Sequence, residues 1–184
     1  MKSLLIAVSI LLLSQTLHAS TESAYQGQQH RSIKALSQQD IDGYITGKGM
    51  GFAKAAELNH YPGPRHVLDI SEELKLSDKQ LKQTQNLFNK MQAKAITLGK
   101  QLIEGEQKLD QLFAQGSVDR TSLEATLLDI GTIQAKLRNV HLSAHLEQKQ
   151  LLTNRQIMMY DQLRGYGAGA SHSTNHNNSH NHSH

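Results

Sequence analysis

Apolar residues recur every three or four positions along the second half of the chain, which is the spacing of one face of an α-helix. The pattern predicts a long helix from Asp78 to about Ala114 and another from about Arg120 to Leu151. The apolar positions of the first are Leu81, Thr84, Phe88, Met91, Ala95, Leu98, Leu102, Gly105, Leu109 and Leu112. Those of the second are Leu123, Leu127, Ile130, Ile133, Leu137, Val140 and Ala144.

The segment AQGSVD, which joins these two helices, is short and polar. Gly116 can end the first helix and Asp119 can cap the second. A short connection between two long helices with apolar faces predicts an antiparallel hairpin. We therefore expect an all-α fold.

Shorter helices are expected on both sides of the hairpin. Residues 37–59 are predicted to be helical, although four glycines weaken this helix by about 1 kcal/mol each. Pro64 suits the first turn of a short helix over about residues 65–75. Thr153 can cap a closing helix that Gly165 ends.

The ends of the chain differ in composition from the part between them. Residues 1–19 carry one lysine, an apolar run and Leu-His-Ala, the layout of a cleavable signal peptide. We expect export and no stable membrane insertion after cleavage. Residues 20–36 are polar and predicted to be disordered. The helical domain is expected over residues 37–166, and a disordered His-rich tail over residues 167–184.

Composition narrows the class of protein. The 184 residues include no cysteine, 4% aromatic and 38% hydrophobic residues, a thin core that suits long packed helices or an oligomer. The net charge of +3 is spread without a basic run, so no nucleic-acid partner is expected. No nucleophile–base constellation is apparent, so we expect neither enzymatic activity nor an organic cofactor.

Two pentapeptides share the form L-[ST]-x-x-Q, namely LSDKQ at residues 76–80 and LTNRQ at residues 152–156. Each predicts a helix start with a capping box. The two motifs flank a predicted long helical hairpin, in a chain that is expected to be exported and has no cysteine. In this setting the pair resembles the LTxxQ motifs of the Spy/CpxP-like periplasmic proteins. It is also similar to the related ZraP proteins and CnrX-like heavy-metal sensors. The segment GMGFAKAAELNHYPGPRHVLDI resembles one subgroup of this family.

The resemblance implies a periplasmic protein with a bent helical hairpin, usually paired as an antiparallel homodimer that forms a cradle. Functions in the family divide among metal binding, ATP-independent chaperoning of unfolded clients and inhibition of envelope-stress sensor kinases. We expect a metal-binding stress-response protein that senses or buffers Cu, Zn or Ni. The alternative is a chaperone or a sensor-kinase inhibitor.

His141 and His145 stand four residues apart, so their side chains share one face of the second long helix. Two imidazoles so placed can hold Zn²⁺, Cu²⁺ or Ni²⁺. If the turn centres near residues 116–117, His141 lies near Met91 or Gln92, and His145 near Phe88. The thioether of Met91 would favour Cu(I). A structural or pH-responsive role for the pair is the alternative.

Further ligands can come from the segment that precedes the hairpin. Glu57, His60 and His66 bracket NHYPGPRH, which must fold back onto the helices. The resemblance to CnrX-like sensors implies a site that joins such residues to a spaced pair on the long helix. A second candidate site is the tail, whose histidines can chelate copper, zinc or nickel. They are His172, His176, His180, His182 and His184.

Overall fold

The computed structural model describes residues 23–167, and within them the chain is helical without strands. The predicted hairpin is confirmed. Its arms are α4 (Asp78–Ala114) and α5 (Arg120–Leu151), which pack against each other. Gly116 adopts the left-handed conformation, with φ +64°, that ends α4. The Asp119 side chain accepts a hydrogen bond from the Ser122 amide and so caps α5.

In the described part of the chain, four shorter α-helices flank the hairpin: α1 (Gln38–Ile45), α2 (Lys54–Glu57), α3 (Pro64–Asp69) and α6 (Asn154–Leu163). The prediction of a single helix over residues 37–59 is wrong, because the chain turns between α1 and α2. Gly47 and Gly51 have φ of +68° and +80° in this turn, and glycine adopts such angles at little steric cost. The short helix predicted to reach residue 75 ends at Asp69.

Part of the N-terminal segment that was predicted to be disordered packs against the hairpin. A 3-10 helix spans Gln28–His30, and Ile33 and Leu36 are buried. The Lys34 ammonium lies 3.4 Å from a carboxylate oxygen of Asp110 on α4. Apolar residues inside a polar stretch account for the difference, since their burial stabilises the contact. The predicted signal peptide, residues 1–19, lies outside the described range, as does the predicted His-rich tail, residues 167–184, apart from Gly167.

The two L-[ST]-x-x-Q motifs meet at the base of the hairpin. Ser77 and Thr153 cap α4 and α6 with the predicted capping boxes. The side-chain amides of Gln80 and Gln156 also exchange hydrogen bonds of 2.9 and 3.2 Å. Gln80 donates in addition to the Leu151 carbonyl, at 2.9 Å. Two helix starts far apart in the sequence thus share one hydrogen-bond network.

Two apolar clusters of buried residues form the core of the described part of the chain. One lies at the base of the hairpin and contains Val67, Leu74, Leu152 and Tyr160. The other follows the hairpin and contains Ala95, Leu102, Ile130 and Leu137. Two predicted core positions, Leu81 and Leu127, are instead exposed, and Thr126 is buried beside Leu127. Among the helices within residues 23–167, none combines the length and apolar character needed to cross a membrane.

Helix α1 approaches α4 at Gly99, where a side chain would collide with the Tyr44 carbonyl oxygen. Because that obstacle is backbone, we expect Gly99→Ala to displace α1 and lower the free energy of unfolding by roughly 1–3 kcal/mol. Urea denaturation monitored by circular dichroism measures this loss. Gly131→Ala on α5 is the control, since no atom within 4 Å meets its Cβ. That variant should be as stable as the wild type or more so. Equal stability of the two variants would contradict a tight α1–α4 contact.

Candidate metal centre

A cavity of about 510 Å³ lies where the turn after α1, helices α2 and α3, and the two hairpin arms meet. Five residues predicted from the sequence as ligands line it together. They are Glu57 of α2, His66 of α3, Met91 of α4, and His141 and His145 of α5. The hairpin contributes Met91 from one arm and the histidine pair from the other, and the fold-back of residues 57–66 supplies another wall.

The Glu57 carboxylate is buried and forms the centre of a hydrogen-bond network. The Tyr160 hydroxyl donates to its Oε1 at 2.5 Å, and the Tyr166 hydroxyl at 3.3 Å. His66 Nδ1 and Arg164 Nε lie 3.3 and 3.5 Å from the same oxygen. One carboxylate oxygen therefore joins α2, α3, α6 and the segment after α6.

Burial opposes the ionisation of Glu57, but hydrogen bonds from His66 and Tyr160 and the charges of His66 and His145 outweigh it. Together they lower the pKa of Glu57 from 4.5 to about 2. Burial, and then the hydrogen bond and charge of Glu57, raise the pKa of the Tyr160 hydroxyl above its ordinary value. The pair is therefore a carboxylate that accepts from a neutral phenol.

His145 is 8% exposed and is oriented by the backbone of the fold-back segment. Its Nδ1 lies 2.7 Å from the Tyr61 carbonyl oxygen. Because a carbonyl only accepts, Nδ1 carries the proton and Nε2 keeps its lone pair. Burial lowers the pKa of His145, against the opposing effects of the Tyr61 hydrogen bond and the Glu57 charge. A neutral imidazole held by a carbonyl in this way is a typical oriented metal ligand.

His141 is 3% exposed, and its ring stacks on Phe52 with centroids 6.0 Å apart. Burial, and then the charge of His145, lower the pKa of His141. Its Nε2 is buried without a hydrogen-bond partner among the described residues, and so is Oε2 of Glu57. A buried polar atom left unpaired costs about 1–3 kcal/mol. These two atoms are therefore available to a ligand in the cavity.

Gly63 leaves clearance between the histidine and the carboxylate. A Cβ on Gly63 would lie 2.9 Å from His145 Nε2 and 3.5 Å from Glu57 Oε2. The unprotonated nitrogen and the unpaired oxygen thus face the same small space. A larger residue at position 63 would fill it.

His60 is not part of this cavity. Its Nδ1 lies 2.8 Å from an Asp161 carboxylate oxygen, and its side chain is mostly exposed. The structure therefore separates His60 from the other predicted ligands. The five tail histidines lie beyond residue 167, outside the described part of the chain.

Sequence reasoning missed the residues that hold the ligands in place, namely Tyr61, Gly63, Tyr160 and Arg164. Among these four residues, the sequence pattern points only to Tyr160. Tyr160 falls on the apolar face of the closing helix, and a buried tyrosine hydroxyl requires a polar partner. Nothing in the sequence identified that partner as Glu57, 103 positions away.

The donors fit a transition metal in kind, since neutral imidazole nitrogens, a carboxylate oxygen and a thioether suit copper, zinc or nickel. Within residues 23–167, however, no three His, Asp or Glu side chains already stand close enough to hold one ion. Binding therefore requires the side chains to close around the metal.

Comparison of the chain with protein-family models finds no match, and neither known curated proteins nor solved structures give one. The resemblance to the Spy/CpxP-like proteins thus stays a prediction that rests on the motifs.

The Glu57 network predicts a specific loss of stability in acid. Because the folded-state pKa lies below 4.5, the stabilisation is complete above pH 4.5 and is lost as pH falls towards 2. Its upper bound is about 3 kcal/mol. The difference in unfolding free energy between wild type and Glu57→Gln should therefore be larger above pH 4.5 than near pH 2, as urea titrations at several pH values would measure. Glu73→Gln, at an exposed position, is the control. A difference that does not depend on pH would contradict the prediction.

Proposed function

We propose that the chain is an exported, periplasmic stress-response protein that binds Cu, Zn or Ni and acts by sensing or buffering the metal. The observation that carries the proposal is that two buried donors in one cavity, His141 Nε2 and Glu57 Oε2, have no hydrogen-bond partner within residues 23–167. The imidazole of His145, whose Nδ1 lies 3.7 Å from Glu57 Oε2, borders the same space. Unpaired donors of this kind are costly without a ligand and favourable with one.

The remaining donors support the same proposal. His66 also lines the cavity, and its Nδ1 lies 3.3 Å from Glu57 Oε1 and 3.4 Å from the Tyr160 hydroxyl. Met91 adds a thioether from the opposite arm. Membership in the Spy/CpxP-like family, a homodimeric cradle and periplasmic location are parts of the proposal that the motifs and the predicted signal peptide support.

Titration calorimetry with Cu²⁺, Zn²⁺ and Ni²⁺ tests the cavity site. The tail histidines must first be silenced in the full chain, by changing each of the five to Asn. We expect one stoichiometric site in this tail-silenced protein, and an affinity loss of at least about tenfold in His141→Ala or His145→Ala.

His30→Ala is the matched control for that titration, since His30 is exposed and does not line the cavity. Circular dichroism should show that all variants are folded. Binding that is the same in His141→Ala, His145→Ala and His30→Ala would refute a metal site in the cavity.

A chaperone function is the second candidate, and exposed apolar side chains favour it. Leu128 is 72% exposed and Leu146 is 53% exposed on α5, and Phe113 at the end of α4 is 58% exposed. Apolar groups left in water can bind unfolded clients.

Suppression of client aggregation in excess chelator tests this second function. We expect protection of a reduced, aggregating client protein to persist in EDTA and to fall several-fold in Leu128→Gln with Phe113→Gln. Glu124→Gln, which changes an exposed polar position on the same arm, is the control. Protection that requires added metal would exclude an independent chaperone role.

A further inference from the structure

The cavity is much larger than a metal ion with its protein ligands requires. Its volume of about 510 Å³ falls in the usual range of small-molecule sites, about 300–1,000 Å³. A water molecule takes only about 30 Å³. A metal ion bound at the histidines would therefore leave most of the space to another group.

The charges of the cavity are arranged with opposite signs at its floor and its mouth. Glu57 is the only carboxylate among the described lining residues, and it is buried. Lys48 and Lys54 also line the cavity but are exposed. The Lys54 side chain folds over Gly51. Its Nζ lies 3.9 Å from the point where a Cβ at position 51 would be. Within residues 23–167 neither ammonium is paired with a carboxylate.

The third cation of the mouth, Arg65, is already engaged. Its Nε donates to Asp69 at 3.0 Å, and its guanidinium lies 5.8 Å from the centre of the Phe88 ring. The unpaired positive charge of the mouth is therefore that of Lys48 and Lys54. A free divalent cation is repelled by such a mouth, whereas an anion is attracted by it.

An anion alone does not suit this cavity, because it would face the buried Glu57 carboxylate and the unprotonated Nε2 of His145. A ligand with its positive part inward and its negative part outward satisfies both ends. A metal ion chelated by a small carboxylate has this polarity, since the metal retains open positions for nitrogen and oxygen donors.

We propose that the cavity takes its metal as a complex with a small anionic chelator of the di- or tricarboxylate class. Once these side chains have closed around it, the metal contacts His141, His145 and Glu57, and the chelator carboxylates contact Lys48 and Lys54. This inference rests on the proposed function and adds to it the form in which the metal is recognised.

Equilibrium dialysis of the tail-silenced full chain tests the inference with Cu²⁺ and citrate as probes. Copper is measured by atomic absorption and citrate by a carbon-14 label. We expect the protein to retain copper and citrate together in a ratio of one to one. Citrate in EDTA, without copper, should not be retained.

The lysines at the mouth provide the matched comparison. Lys48→Gln with Lys54→Gln should lower the affinity for copper citrate about five- to tenfold and leave the affinity for Cu²⁺ added alone unchanged or higher. Lys82→Gln with Lys90→Gln removes the same charge from exposed positions of α4 that do not line the cavity. That control should bind copper citrate as the tail-silenced parent does.

The outcomes separate this inference from the function it rests on. Retention of copper without citrate would overturn the chelate proposal and leave the metal site standing. Retention of neither copper nor citrate, with Cu²⁺ alone also unbound, would overturn both. Citrate retained in EDTA would identify an anion site instead. Copper citrate binding that is the same in the two double-lysine variants would show that the mouth does not recognise the chelator.

Discussion

A buried carboxylate must be paired, and the fold around the base of the hairpin is organised by that requirement at Glu57. The residue ends a helix of only four residues, which could not hold its position by itself. Tyr160, Tyr166 and Arg164 approach it from the C-terminal side, and His66 from α3. An isolated charge in the interior is far less stable than a paired one. These elements must therefore assemble around the Glu57 side chain.

The same pairing explains why the cavity exists and why its donors remain available. All the described hydrogen bonds of Glu57 converge on Oε1, so Oε2 faces the cavity beside His145. His145 is in turn fixed by the Tyr61 carbonyl rather than by the carboxylate. The network thus pairs Oε1 and leaves Oε2 without a hydrogen-bond partner among residues 23–167. The oxygen that supports the fold and the oxygen that we propose binds a ligand are therefore different atoms of one group.

The sequence predicts the hairpin, its caps and the position of Met91 opposite the histidine pair, because helical periodicity and capping are local effects. It does not predict which residues meet across the fold. His60 binds Asp161, and Gln80 binds Gln156, at separations of 101 and 76 residues. No spacing rule encodes such contacts. The turn between α1 and α2 was missed because four glycines weaken a helix without showing where it breaks. The contact of Lys34 with Asp110 of α4, 76 residues away, is likewise not visible in composition.

The joined amides of Gln80 and Gln156 have a consequence for the surroundings in which the fold can persist. Exported proteins are commonly fastened by disulfides, whose integrity depends on the local reduction potential. This chain has no cysteine, and the base of its hairpin is closed by side-chain amides instead. Amide hydrogen bonds neither gain nor lose electrons. Thiol reductants, thiol oxidants and thiol-reactive metals therefore find no disulfide or thiol at the base of the hairpin. The hydrogen bonds that close it are the same in reducing and oxidising media.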